Sequence, residues 1–337
     1  MHRMLYAGVD AHKRTSQVTV MDESGAVVKR ARVPSTRAGI QHALGRYGGP
    51  MKAVVEASYC WGPMHDWLDE VADDVVLAHP LKVRAIAEAR IKTDAIDADT
   101  LAHLLRADLI PVAYAPSKET RASKRILRQR MFLVRVRTML KNRVQALLSQ
   151  HSIARPDVTD LFGQAGMRWL KALELPDPDM GLLHEQLALM AALREHIQST
   201  EGMIRELVEG DEAVDWLRSL PGIGPFFSVL IRYEVDDIRR FREAKKFASY
   251  TGLVPSTYAS GDRMMHGRLT KQGNKWLRWA FVEAVNPAIT RSCWLRRYYE
   301  GIKKRRGVKD ARTATARKLA ELAWTIWTEQ RPYEERG

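Results

Sequence analysis

The sequence predicts a mixed α/β domain at the start of the chain and helical domains after it. Three observations carry this. The first third alternates short apolar runs of strand length with helical patterns, and opens on three strands in succession. From Lys118 to Gln150 there is neither Pro nor Gly, and apolar residues recur at Leu127, Met131, Val134, Leu140, Val144 and Leu147. The last third sets glycine-bearing turns between further helical patterns.

Taken in order, Leu5–Asp10 and Gln17–Met21 are strands. The turn signal Asp22-Glu-Ser-Gly25 leads into a third, Ala26–Val33, which completes an antiparallel meander. Thr36–Tyr47 reads as a helix with Thr36 at its N-cap. Lys52–Glu56 is a buried-type strand, Pro63–Val71 a helix, Val75–Ala78 a fifth strand, and Pro80 opens another helix. Asp94–Leu105 is helical, with apolar Ile96, Leu101, Leu104 and Leu105. Three antiparallel strands followed by α/β units is the ribonuclease-H-like order. By analogy with that fold, the first and fourth strands end beside each other, which makes Asp10 and Glu56 neighbours.

The helix predicted over Lys118–Gln150 is strongly basic, and Arg125, Arg128, Arg135 and Lys141 on it are candidate contacts to a phosphate backbone. A solvated face on a bundle helix would look the same. Leu182–Val208 is a second long helix whose seam of Met190, Leu193, Ile197, Ile204 and Leu207 is near-heptad and interrupted by Thr200. The pair predicts an antiparallel hairpin or a dimerising coiled coil. Arg155-Pro156 and Pro176-Asp-Pro178 punctuate the connection. Further on, Ser219–Pro225 is a tight turn, and Thr251–Gly273 reads as loop with short extended pieces. Asn274–Ala284 and Thr313–Glu329 read as helices, with the basic run Lys303, Lys304, Arg305, Arg306 between them. The expected domains are 1–115, a basic helical linker over 116–210, and a C-terminal domain over 211–337.

The chain has 337 residues, 45% of them hydrophobic, with a formal net charge of +14 and a pI near 9.8. A surplus that large favours a polyanionic partner, nucleic acid first. A membrane surface comes second, but no apolar run approaches a spanning length and no signal peptide opens the chain. Cys60 and Cys293 are too few for a zinc site or a disulfide framework. A cytoplasmic, nucleoid-associated protein is expected.

Four acids carry the chemistry. Asp10 and Glu56 each follow an apolar run, and Asp94 and Asp97 sit three apart at the start of a helix. Singly, each reads as an ordinary strand-end or helix-start acid. Together they form a cluster whose mutual repulsion is tolerable mainly with divalent cations between them. An all-oxygen site suits Mg²⁺, and paired Mg²⁺ ions suit phosphodiester chemistry. Asp99 points roughly 200° around the helix from Asp97 and is left out. Pro221-Gly-Ile-Gly224 resembles a helix-hairpin-helix turn, in which Gly222 and Gly224 would let backbone N–H groups approach a phosphate. A plain helix–helix turn with a glycine cap is the alternative. Ser260, within Tyr258-Ala-Ser-Gly261, is by pattern a turn former, and Tyr258 and Ser256 compete with it as nucleophile. His266 and Lys271 follow as phosphate contacts or ordinary loop residues.

Gly8-Val-Asp-Ala-His-Lys13, Val55-Glu-Ala-Ser58, Lys92-Thr-Asp-Ala-Ile-Asp-Ala98, Leu220-Pro-Gly-Ile-Gly224, Phe247–Pro255 and Tyr258-Ala-Ser-Gly261 occur in this order. The set resembles the DEDD transposases of bacterial insertion sequences, relatives of the pilin-gene-inverting recombinases, over nearly the whole chain. The resemblance implies a RuvC-like N-terminal domain, a coiled-coil linker and a C-terminal transposase domain. It implies that Asp10, Glu56, Asp94 and Asp97 bind Mg²⁺, two ions with Mn²⁺ able to substitute, and that Ser260 attacks the DNA phosphodiester to give a phosphoserine ester. It further implies a structured bridge RNA that pairs with donor and target DNA, and homodimers pairing into a tetramer. One departure is Tyr59-Cys60-Trp61, where many members have a glycine. Two other classes stay open: a RuvC-like junction-resolving nuclease that uses water, and a non-catalytic nucleic-acid-binding protein.

Overall fold

The structure, a computed structural model, describes residues 3–47, 49–87, 94–260, 263–269 and 272–335; for 95, 256–260 and 263–268 the description is of the backbone alone. The chain divides into two units, residues 1–115 and 116–337.

The first unit is a five-stranded mixed sheet with helices on both faces. Strands β1 (Leu5–Ala11), β2 (Thr15–Met21) and β3 (Val27–Pro34) form the antiparallel meander. Helix α1 (Arg37–Leu44) follows, with the Thr36 hydroxyl accepting from the Gly39 amide at its N-cap. Then come β4 (Met51–Glu56), α2 (Trp61–Leu68), β5 (Asp74–Ala78), α3 (Pro80–Ile86) and α4 (Asp94–Arg106). The strand order is β3-β2-β1-β4-β5, with β4 parallel to both β1 and β5. Period-two alternation divides the buried residues between two cores. Ala7, Val9, Ala53 and Val55 pack on Ile40 and Leu44 of α1 and Met64 and Leu68 of α2. Val54 and Ala78 face the other way, onto Val83 of α3 and Leu101, Leu104 and Leu105 of α4.

The second unit is mostly helical: α5 (Lys118–Gln150), α6 (Gln164–Lys171), α7 (Asp179–Leu207), α8 (Glu212–Ser219), α9 (Pro225–Val235) and α10 (Ala244–Tyr250). A two-stranded antiparallel hairpin, β6 (Pro255–Ser260) and β7 (Arg263–Leu269), precedes α11 (Lys275–Arg291), α12 (Cys293–Arg306) and α13 (Val308–Thr328). The two long helices pair with each other as an antiparallel hairpin: Val144 and Leu147 of α5 share a core with Leu183 and Leu187 of α7, and Leu127 and Met131 share another with Ile204. Thr200 interrupts the seam at little cost, because its hydroxyl donates to the His196 carbonyl. Helix α6 buries only Gly166 and Leu170, too short a stretch for periodicity to announce it. Helix α11 runs through Pro287 to Arg291, beyond the expected stop at Ala284, and buries Val285 and Ala288. The basic run Lys303–Arg306 forms the last turn of α12, where cations oppose the helix dipole favourably. Among the described residues no helix is long and apolar enough to cross a membrane.

Candidate metal centre

The centre forms where β1 and β4 end. Val9 is in parallel register with Val55, so Asp10 and Glu56 stand level on neighbouring strands, about 4.8 Å apart in the hydrogen-bonding direction, with side chains on the same face. That face is the one α4 covers, because Gly8, two residues before Asp10, lies directly beneath it. A Cβ on Gly8 would overlap the Ala98 carbonyl oxygen and stand 2.6 Å from the Ala102 amide nitrogen. Only a glycine lets the helix come this close. The first turn of α4 brings Asp94 and Asp97 towards Asp10.

Asp99 is turned to the other side of the helix. Its carboxylate accepts from Thr19 Oγ1 at 2.7 Å and from both arms of the Arg30 guanidinium at 2.9 to 3.1 Å. Burial would raise the Asp99 carboxyl, but the hydrogen bonds from Arg30 and Thr19 outweigh it and hold the group below the usual carboxylate range.

Asp10 is the reverse case. Its side chain is 13% exposed, and its buried Oδ2 has no hydrogen-bond partner. Burial raises its carboxyl above the usual range, the His12 ring opposes the rise, and repulsion from Asp97 and Asp94 adds to it. His12 Nε2 lies 3.1 Å from Asp10 Oδ2 and 3.4 Å from Asp94 Oδ1. One ligand atom from each of Asp10, His12 and Asp94 falls within 4.8 Å of the others. An orphaned buried oxygen beside converging donors fits a divalent cation. Sequence reasoning passed over His12, although its place two residues beyond Asp10 sets it on the same side of the chain.

The loop at Tyr59-Cys60-Trp61 is tied to this strand end. Ser58 N donates to the Glu56 carbonyl at 2.7 Å, and Cys60 Sγ donates to the Ala11 carbonyl at 3.4 Å.

Comparison with known proteins agrees with the resemblance seen in the motifs. A transposase model matches residues 7–153, and a model described as the transposase IS116/IS110/IS902 family matches residues 214–300. Two parts of the chain thus match transposase domains of this family. A protein of Pseudomonas aeruginosa described as "Probable family 20 transposase" is 28% identical over 337 residues, covering 97% of each chain. The transposase for insertion sequence element IS1111A of Coxiella burnetii is 25% identical over 97% of this chain and 90% of its own. The transposase for IS1328 of Yersinia enterocolitica is 24% identical over 98% of each.

The remaining candidates lie in the second unit. Ser260 ends β6, paired in register with Arg263 of β7, and His266 is a β7 residue opposite Thr257. Their side chains, with those of Ser256 and Tyr258, lie outside the description, as does Lys271 altogether. Gly222 has φ of +85°, and a Cβ there would overlap the Ala284 carbonyl oxygen of α11, so this glycine serves the packing of the α8–α9 turn. Gly224 is the N-cap of α9 and has open space around it, with Pro225 at the first helical position. Arg125 and Arg135 are exposed, as is the run Lys303, Lys304, Arg305 and Arg306. Arg128 donates to the buried Glu234 at 2.9 Å, and Lys141 Nζ stands 4.8 Å over the Phe162 ring.

Lys141 also belongs to a wider basic surface that the sequence does not reveal. Arg137, Lys141, Arg168, Lys171 and Arg194 line a groove of about 1220 Å³ between α5, α6 and α7, against the two acids Asp160 and Glu195.

Proposed function

We propose that this chain is an insertion-sequence transposase that cuts and exchanges DNA strands at a carboxylate-bound metal site, with Ser260 as nucleophile. The convergence of Asp10, His12 and Asp94 at the end of β1, with one oxygen of Asp10 buried and unpartnered, is the observation that carries it. The strand order β3-β2-β1-β4-β5 supports reading the first unit as a RuvC-like, ribonuclease-H-fold domain. Asp10, Glu56, Asp94 and Asp97 are the residues that would hold Mg²⁺ ions. Bound there, the ions would neutralise charge developing at the scissile phosphate.

The chain's own chemistry is then a transesterification. The Ser260 oxygen forms a bond to phosphorus and gives its proton to solvent, the bond from phosphorus to the leaving strand's oxygen breaks, and that oxygen takes a proton from solvent, so the strand ends in a hydroxyl. The protein–DNA ester retains the phosphodiester energy. Attack by an incoming strand's hydroxyl restores the serine without ATP. The net charge of +14 and the basic groove on the α5–α7 hairpin support contact with DNA and with a structured guide RNA. Assembly as homodimers that pair into tetramers, and residence in the nucleoid, belong to the same proposal.

Covalent trapping tests it. Full-length protein, Mg²⁺, labelled donor DNA and RNA transcribed from the element's flanks are combined and resolved on denaturing gels. A protein–DNA adduct present in wild type and absent in Ser260→Ala and Asp94→Ala is expected. Cleavage without an adduct, unchanged by Ser260→Ala, would instead assign a hydrolytic nuclease.

A further inference from the structure

We propose that His12 is a nitrogen ligand of this metal centre and makes it favour transition-metal ions over Mg²⁺. The proposal rests on the metal-site reading above and adds a residue that the four-carboxylate pattern does not contain.

The argument is geometric. An ion bound at about 2.1 Å by two ligand atoms at a right angle holds those atoms about 3.0 Å apart. His12 Nε2 is 3.1 Å from Asp10 Oδ2 and 3.4 Å from Asp94 Oδ1, so it stands to both oxygens as a neighbouring ligand would. The Asp10 oxygen it faces is the buried one that lacks a hydrogen bond. The imidazole is 52% exposed and follows directly on β1, so the strand fixes its position while solvent keeps it accessible.

Ligand chemistry supplies the selectivity. Carboxylates and water alone suit Mg²⁺ and Mn²⁺ alike. An imidazole nitrogen adds affinity for transition-metal ions and little for Mg²⁺, which prefers oxygen. The competing assignment is a protonated His12 that acts as a built-in cation between two carboxylates. The two assignments predict opposite signs. A ligand's removal weakens transition-metal binding, while a resident cation's removal strengthens it.

The experiment uses Mn²⁺ on the full-length protein, with affinity measured by titration, preference by Mg²⁺ competition, and coordination by pulsed EPR. The expected result is a ¹⁴N coupling to bound Mn²⁺ in wild type that disappears in His12→Ala, with Mn²⁺ affinity reduced about tenfold or more and Mg²⁺ affinity little changed. Mn²⁺ bound without a ¹⁴N coupling, or bound more tightly by His12→Ala, would overturn the role of His12 and leave the carboxylate site standing. If wild type binds no Mn²⁺, or Asp94→Ala binds it as well as wild type does, the carboxylate site fails and the assignment of His12 with it.

Discussion

Asp10 in the first unit and Glu234 in the second are both withdrawn from water, and their surroundings treat them in opposite ways. Glu234, on α9 and 1% exposed, accepts from Arg128 through both oxygens at 2.9 and 3.3 Å, and from Asn274 Nδ2 at 2.8 Å. Asp10 keeps a buried oxygen without a donor and sits beside two further acids. Burial of a charge is costly unless it is paired and hydrogen-bonded. Glu234 meets that condition and ties α5, α9 and the start of α11 together. Asp10 does not, and the cation proposed above would supply the missing partner. Satisfaction, more than depth, separates the structural acid from the proposed metal ligand.

The sharpest way to break this comparison is Asp10→Asn. Strand cleavage should fall about 10³-fold, equivalent to several kcal/mol of charge stabilisation. The thermal midpoint of the metal-free protein should hold or rise, because a buried charge has been removed. A midpoint that drops as far as that of a Glu234 variant would end the distinction. Glu234→Ala comes next: it strands Arg128 and Asn274 and should cost about 3 kcal/mol in urea unfolding, the low end for a broken buried pair because Arg128 is half exposed, while Mn²⁺ affinity at the first unit is unchanged. Gly8→Ala should cost about 1–3 kcal/mol by forcing α4 off β1, and, unlike Glu234→Ala, should also weaken Mn²⁺ binding.

The smallest effect is the pH dependence of the metal-free protein. The Asp10 carboxyl lies above its ordinary value, so the folded state holds that proton more tightly than the unfolded chain does. The corresponding stability is fully present below the ordinary aspartate range and is lost as pH rises through the raised value. Thermal melts across that window should show a decline in wild type that is absent in Asp10→Asn.

What the sequence made legible follows the same divide. Strand ends and helix starts are local, so short runs were enough to place Asp10 and Glu56 at strand ends and Asp94 and Asp97 at a helix start, and the 3.6-residue period was enough to turn Asp99 away from Asp97. Partners made by the fold could not be read. Arg128 looked like a phosphate contact, yet its carboxylate lies 106 residues further along. His12 faces Asp94 only because α4 settles on Gly8, a contact no local pattern encodes. The groove shared by Arg137, Arg168 and Arg194 needs three helices to exist.

Asp99 and Gly8 together act as a pair of alignment stops for α4. Gly8 sets how near the helix comes to the sheet. The Thr19–Arg30 grip on Asp99 sets how far it is rolled about its own axis. With distance and roll both fixed, the helix start that carries Asp94 and Asp97 is aimed as well. The aim can therefore be detuned without touching a single one of them: loosening Arg30 would leave every acid in the chain and swing the helix that carries two of them.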